Sequence, residues 1–103
     1  MKRIRVSHRA ERGLDSIWQF IAADASSLAI ADSVVDAIVA HFVVLARQPK
    51  AGMSREEIDP GVRSFPSGNY LSYYRESKSH LVISRILHGK RDQLDAWRRP
   101  ETP

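Results

Sequence analysis

The sequence predicts an α+β fold over residues 1–103: an N-terminal strand, two helices, then an antiparallel β-meander, in the order β-α-α-β-β-β. Three observations predict it. Lys2 to Val6 alternates apolar and basic residues, the period of a half-buried strand. Two long stretches between Ser7 and Gln48 carry apolar residues at helical spacing. From Val62 to Asp92 three β-type runs follow one another with short polar joins, which an antiparallel meander can span. A chain of 103 residues reads as one domain, large enough to fold without disulfides or metal.

In the first strand Ile4 and Val6 share one face, with Arg3 and Arg5 on the other. Ser7 is placed to cap the first helix, and Glu11 suits that helix's N-terminal dipole. Ala10, Leu14, Ile17, Trp18 and Ile21 form its apolar stripe, and the helix should end near Ala23 or Asp24. Asp24-Ala25-Ser26-Ser27 offers three capping residues for a second helix. Its expected buried stripe is Ile30, Val34, Ala37, Ile38, His41, Phe42 and Leu45. Val35, Val39, Val43 and Val44 add apolar positions outside that stripe, so more than one side of this helix should be covered. Gln48-Pro49-Lys50-Ala51-Gly52 ends it, and Met53 to Gly61 reads as a polar crossing over the surface.

The meander begins with Val62–Phe65 and turns at Pro66-Ser67-Gly68. It continues through Asn69–Arg75, joins at Glu76–Ser79, and ends with Leu81–His88. Gln93 to Arg99 has room for one or two helical turns before Pro100, and residues 100–103 should be disordered. Leu14, Ile17, Ile38, Phe42, Leu81 and either Ile83 or Ile86 are the expected core.

Composition narrows the chemistry. With no cysteine, neither disulfides nor thiolate metal sites can form. The four histidines, His8, His41, His80 and His88, have no metal-ligand spacing, so neither a metal nor a cofactor is expected. No glycine-rich phosphate loop is present. No apolar run approaches the ~20 residues of a membrane span, and the basic N-terminus lacks the apolar region of a signal peptide. The expected address is the cytoplasm.

The net charge of +4 is uneven. Residues 13–46 hold no Lys or Arg and four Asp, whereas residues 63–103 hold eight basic and four acidic residues. Arg63, Arg75, Arg85, Lys90 and Arg91 come from neighbouring strands and could form a patch for phosphates or carboxylates, or equally an ordinary solvated face. Tyr70 and Tyr74 share one strand face, with Tyr73 on the other; Arg85 and Leu87 share a face opposite Ser84, Ile86 and His88. His41 reads as a satisfied boundary histidine, while His88 ends a strand beside Gly89, Lys90 and Arg91.

Three groups of residues resemble a known family: Gly61-Val62-Arg63-Ser64-Phe65-Pro66, then Gly68-Asn69-Tyr70 with Tyr73-Tyr74-Arg75, then Arg85-Ile86-Leu87-His88-Gly89-Lys90-Arg91-Asp92. Together with Ser7-x-x-Ala10, Leu14, Ile17 and Trp18, their order and spacing are similar to the ParE branch of the RelE/ParE toxin superfamily. The resemblance implies a helical hairpin, a curled antiparallel sheet, and the toxin half of a plasmid- or chromosome-borne type II toxin–antitoxin pair. Its partners would be a ParD-like antitoxin, in a hetero-oligomer, and DNA gyrase as target, with nucleic acid engaged only indirectly and no membrane. RelE-like relatives instead cleave mRNA on the ribosome. Arg91 matches an arginine those ribonucleases use, but Leu71 stands where they carry a second arginine and Trp97 where they carry a tyrosine. An indole supplies neither proton transfer nor charge, so the gyrase-directed reading leads. A ribonuclease would rest on His88, Arg91 and Arg85. The expected partner-binding residues are Arg63, Tyr70, Tyr74, Arg85, His88, Lys90, Arg91, Trp97, Val39 and Val43, with His88–Arg99 as the toxicity determinant.

Overall fold

The structure is a computed structural model that describes residues 1–99; the expected disorder of residues 100–103 falls outside them. Strand β1 (Arg3–Val6) leads into α1 (His8–Ala25) and α2 (Leu28–Arg47), then a short 3-10 turn at Pro49–Ala51. Strands β2 (Met53–Ser54), β3 (Arg63–Ser67), β4 (Tyr70–Glu76) and β5 (His80–His88) follow, and α3 (Gln93–Arg98) closes the described chain. The sheet order is β1-β5-β4-β3-β2, antiparallel except where β1 pairs with β5 in parallel. The expected α+β order is therefore observed. The surface crossing gains one element, because Met53 and Ser54 pair with Ser64 and Arg63.

Both helix starts follow from serine chemistry. The Ser7 hydroxyl accepts from the Ala10 amide, and Ser27 accepts from the Ile30 amide. Each meets an amide that the first helical turn leaves without a partner. The α1–α2 link turns at Ser26, the described non-glycine residue with positive φ (49°). The helix itself ends at Ala25, one or two residues beyond the expected Ala23 or Asp24.

The register of β4 on β5 shifts after Tyr73: Tyr73 faces Arg85, but Tyr74 faces Ile83. Ser84 is thus the extra residue of a bulge, which bends the strand. Its carbonyl accepts from the Ser7 hydroxyl at 2.8 Å, pinning the α1 cap to the sheet. The bulge also puts Ile83 and Ile86 in the same core, where strict alternation would have supplied only one.

That core lies between the helices and the sheet: Ala10, Ile17, Ile38, Phe42, Leu45, Tyr74, Leu81, Ile83 and Ile86, with Leu14 at its margin. A second cluster, Val62, Tyr73, Leu87 and Ala96, is flanked by Ile58, Leu71 and Trp97. It draws on the 55–62 connection and α3. Two helix positions differ from expectation: Ile30 and Ala37 are exposed. Ile30 sits at the hairpin tip, where residues 23–26 and 28–30 are all exposed. By length and composition alone, Leu28–Arg47 is apolar enough to cross a membrane. Asp32, Asp36 and His41 interrupt the run in sequence without outweighing its average.

Candidate partner-binding groove

Strand β4 carries two tyrosines on its helix-facing side, and the structure uses them differently. Tyr74 is fully buried. Its hydroxyl donates to the Pro49 carbonyl (2.6 Å) and accepts from the Gly52 amide (2.8 Å). The approach is so close that a Cβ on Gly52 would lie 2.4 Å from that oxygen. Tyr74 therefore fixes the α2–β2 connection and offers no surface to a partner, contrary to expectation. Desolvation by burial raises its pKa; Gly52 and Arg63 oppose this, and Glu76 adds to it.

Tyr70, at the other end of β4, is half-buried, and burial raises its pKa too. Its ring meets the His88 ring edge-on at 5.2 Å, following the Tyr70–His88 register. Around this pair the end of the sheet and the α1–α2 hairpin leave two adjoining concavities. One, about 490 Å³, is lined by Gly13, Ile17, Phe20, Ile86, Leu87 and Arg91, among others. The second, about 450 Å³, continues past Ile21, Ser33, Val34 and Ala37 of the hairpin to Gly68 and Asn69. Phe20, Tyr70 and His88 line both. Phe20 is 66% exposed, an uncovered aromatic ring over an apolar groove. Sequence reading missed Phe20 because it stands outside the α1 stripe. An apolar residue just off a helix's buried face was the available signal.

The arginines expected to make a basic sheet face are largely consumed inside the molecule. Arg63 donates to the Gly52 carbonyl (2.8 Å). Arg75 pairs with Asp59 and donates to the Pro60 carbonyl. Arg85 is 4% exposed and donates to the carbonyls of Trp97 (2.9 Å) and Arg99 (3.1 Å). A long guanidinium with several donors readily satisfies loop carbonyls that lack strand partners. Of the five expected patch residues, Lys90 and Arg91 are exposed, and Arg91 lines the groove.

His88 accepts a hydrogen bond from the Lys90 amide at Nδ1 (3.1 Å). With that lone pair engaged, the neutral ring carries its proton on Nε2 and has no open acceptor for a hydroxyl proton. Leu71 flanks the second cluster. Trp97 packs there against Tyr73 with ring centroids 5.4 Å apart. Arg9 also reaches the carbonyls of Trp97 and Arg99, at 3.1 and 3.0 Å. The α3 end is thus tied down by two arginines. Asp92 caps α3 and Asp95 pairs with Arg99, so neither takes Arg91. Val39 and Val43 are exposed but stand on a different face of α2 from the groove-lining Ser33, Val34 and Ala37. His41 is half-buried, hydrogen-bonded to Ser67 and tilted against Phe65. Among the described residues no cluster of His, Asp or Glu could hold a metal ion.

The comparisons agree with this architecture. A chain of the chromosomal ParDE toxin–antitoxin system of P. aeruginosa superposes with a TM-score of 0.74 at 22% identity, covering 85% of this chain and 96% of that one. A chain of the RelBE2 toxin–antitoxin complex of Mycobacterium tuberculosis gives 0.61, also at 22% identity, covering 84% and 96%. Toxin ParE1 of Caulobacter vibrioides is 31% identical over 88 residues, 85% of this chain and 90% of that protein. The family model described as the ParE toxin of the type II toxin–antitoxin system, parDE, matches residues 4–93. By sequence as well as fold, the chain belongs to the ParE toxins of type II toxin–antitoxin systems.

Proposed function

We propose that this chain inhibits DNA gyrase in the cytoplasm by protein–protein contact, and that a ParD-like antitoxin neutralises it by filling the groove around Phe20, Tyr70 and His88. The observation that carries the first half is the state of the ribonuclease positions. His88 Nδ1 is taken by a backbone amide, Arg85 is buried on carbonyls, and Leu71 is apolar. A phosphoryl-transfer site needs an available base and accessible cations; of the candidate residues, Arg91 alone is exposed.

The groove supports the second half. It is apolar along its floor, rimmed by Arg91, and open on the side of Phe20. An amphipathic segment with an acidic edge would dock as a helix in a groove, ordering as it binds. Purified protein should inhibit gyrase supercoiling and leave mRNA on ribosomes uncut. Codon-specific cleavage on ribosomes with gyrase unaffected would reverse the assignment.

A further inference from the structure

Helix α2 has a second surface that neither the fold nor the groove uses. Facing away from the buried Ala31, Ile38, Phe42 and Leu45, and bordered on one edge by the buried Ala46, run two adjacent rows, Asp36-Ala40-Val44 and Val39-Val43-Arg47. All six are exposed, and the three valines remain 42–43% exposed. A helix face turned away from its own core is normally polar. This one is polar only at its two ends, with an acid at one and a base at the other. Among the described residues neither Asp36 nor Arg47 forms an ion pair.

We propose that this face binds a second copy of the chain, the two α2 helices packing antiparallel about a two-fold axis at the level of His41 and Phe42. The order of residues carries the inference. Reversing the helix about that axis places Asp36 against Arg47 and Ala40 in one layer with Val43, with Val39 beside Val43 on one edge and Val44 beside Ala40 on the other. An isologous interface requires that self-complementarity. The i,i+4 rows supply interdigitating ridges, and Ala40 allows close approach at the centre. Asp36 and Arg47 lie about 16 Å apart along the axis, so both ion pairs flank a dry centre. One helix pair buries less than the ~1,200 Å² of a standard interface, so the dimer should form in the micromolar range. None of the six residues of this face lines the groove.

Sedimentation velocity on the full chain across the micromolar range tests this. The wild type should pass from monomer to dimer. Asp36→Arg and Arg47→Asp should each weaken association about tenfold or more, since each creates two like-charge contacts. An equimolar mixture of the two variants should associate as well as the wild type, because each then presents the charges the other lacks. That recovery also certifies that both variants fold. A wild type monomeric throughout, a dimer indifferent to both reversals, or a mixture no better than its components would each overturn the proposal. So would a monomeric chain whose variants lose antitoxin affinity, which would assign the face to the antitoxin.

Discussion

The two ends of β4 differ more than their sequences do. At one end Tyr74 is sealed beneath the helices, its hydroxyl shared between Pro49 and Gly52. At the other, Tyr70 stands half-open between His88 and the overhanging Phe20. Same residue type, same strand, same face: only the neighbours decide. A buried hydroxyl must be paired, because an unmet one is expensive, so the closed end spends its polar atoms on the fold. The open end has apolar surface that none of the described residues covers, the surface on which the proposed antitoxin would dock.

Breaking the closed end should have the largest effect. Tyr74→Ala should cost ~3–5 kcal/mol of stability in a denaturant melt, as for other fully buried aromatics. Tyr70→Ala should cost about 1 kcal/mol, within the ordinary range for single substitutions. Equal costs would erase the distinction between the two ends.

Truncation after Asp95 comes next. It removes Trp97 from the Tyr73 cluster and takes from buried Arg85 its acceptors at Trp97 and Arg99. We expect a loss of roughly 2–4 kcal/mol, with activity failing only as the fold fails. A truncated chain that melts normally yet no longer inhibits growth would make α3 a partner-binding element.

The smallest effect is alkaline. Burial raises the pKa of Tyr70, Tyr73 and Tyr74, so the unfolded chain releases these protons first. Their stabilising contribution is complete below the ordinary tyrosine pKa of ~10 and declines as pH rises past it. Tyr74→Phe should flatten that decline; an unaltered slope between wild type and variant would place the sensitivity elsewhere.

Much of this was legible in the sequence. Alternation, helical stripes and turn residues placed all six principal elements within a residue or two, and Ser7 announced its cap. The two-residue strand β2 was not legible, since its pairing depends on where β3 passes. Nor was the Ser84 bulge, which arises from fitting β5 to both β4 and the α1 cap. Site residues were harder. Arg63, Arg75 and Arg85 read as a charged face because sequence gives charge without giving the carbonyls a guanidinium will find. Tyr74 and Tyr70 are indistinguishable until burial separates them. Phe20 could be noticed only by asking what an apolar residue was doing off the stripe.

The most direct measurement is the affinity of the proposed ParD-like antitoxin for wild type and for Phe20→Asp, by titration calorimetry. Phe20 is exposed, so the variant should melt within about 0.5 kcal/mol of wild type. If the open end is the docking surface, placing a charge on its rim should weaken binding about 30-fold or more, the scale of an interface hot spot. Unchanged affinity in a normally folded Phe20→Asp protein would contradict the account and move the antitoxin to another face.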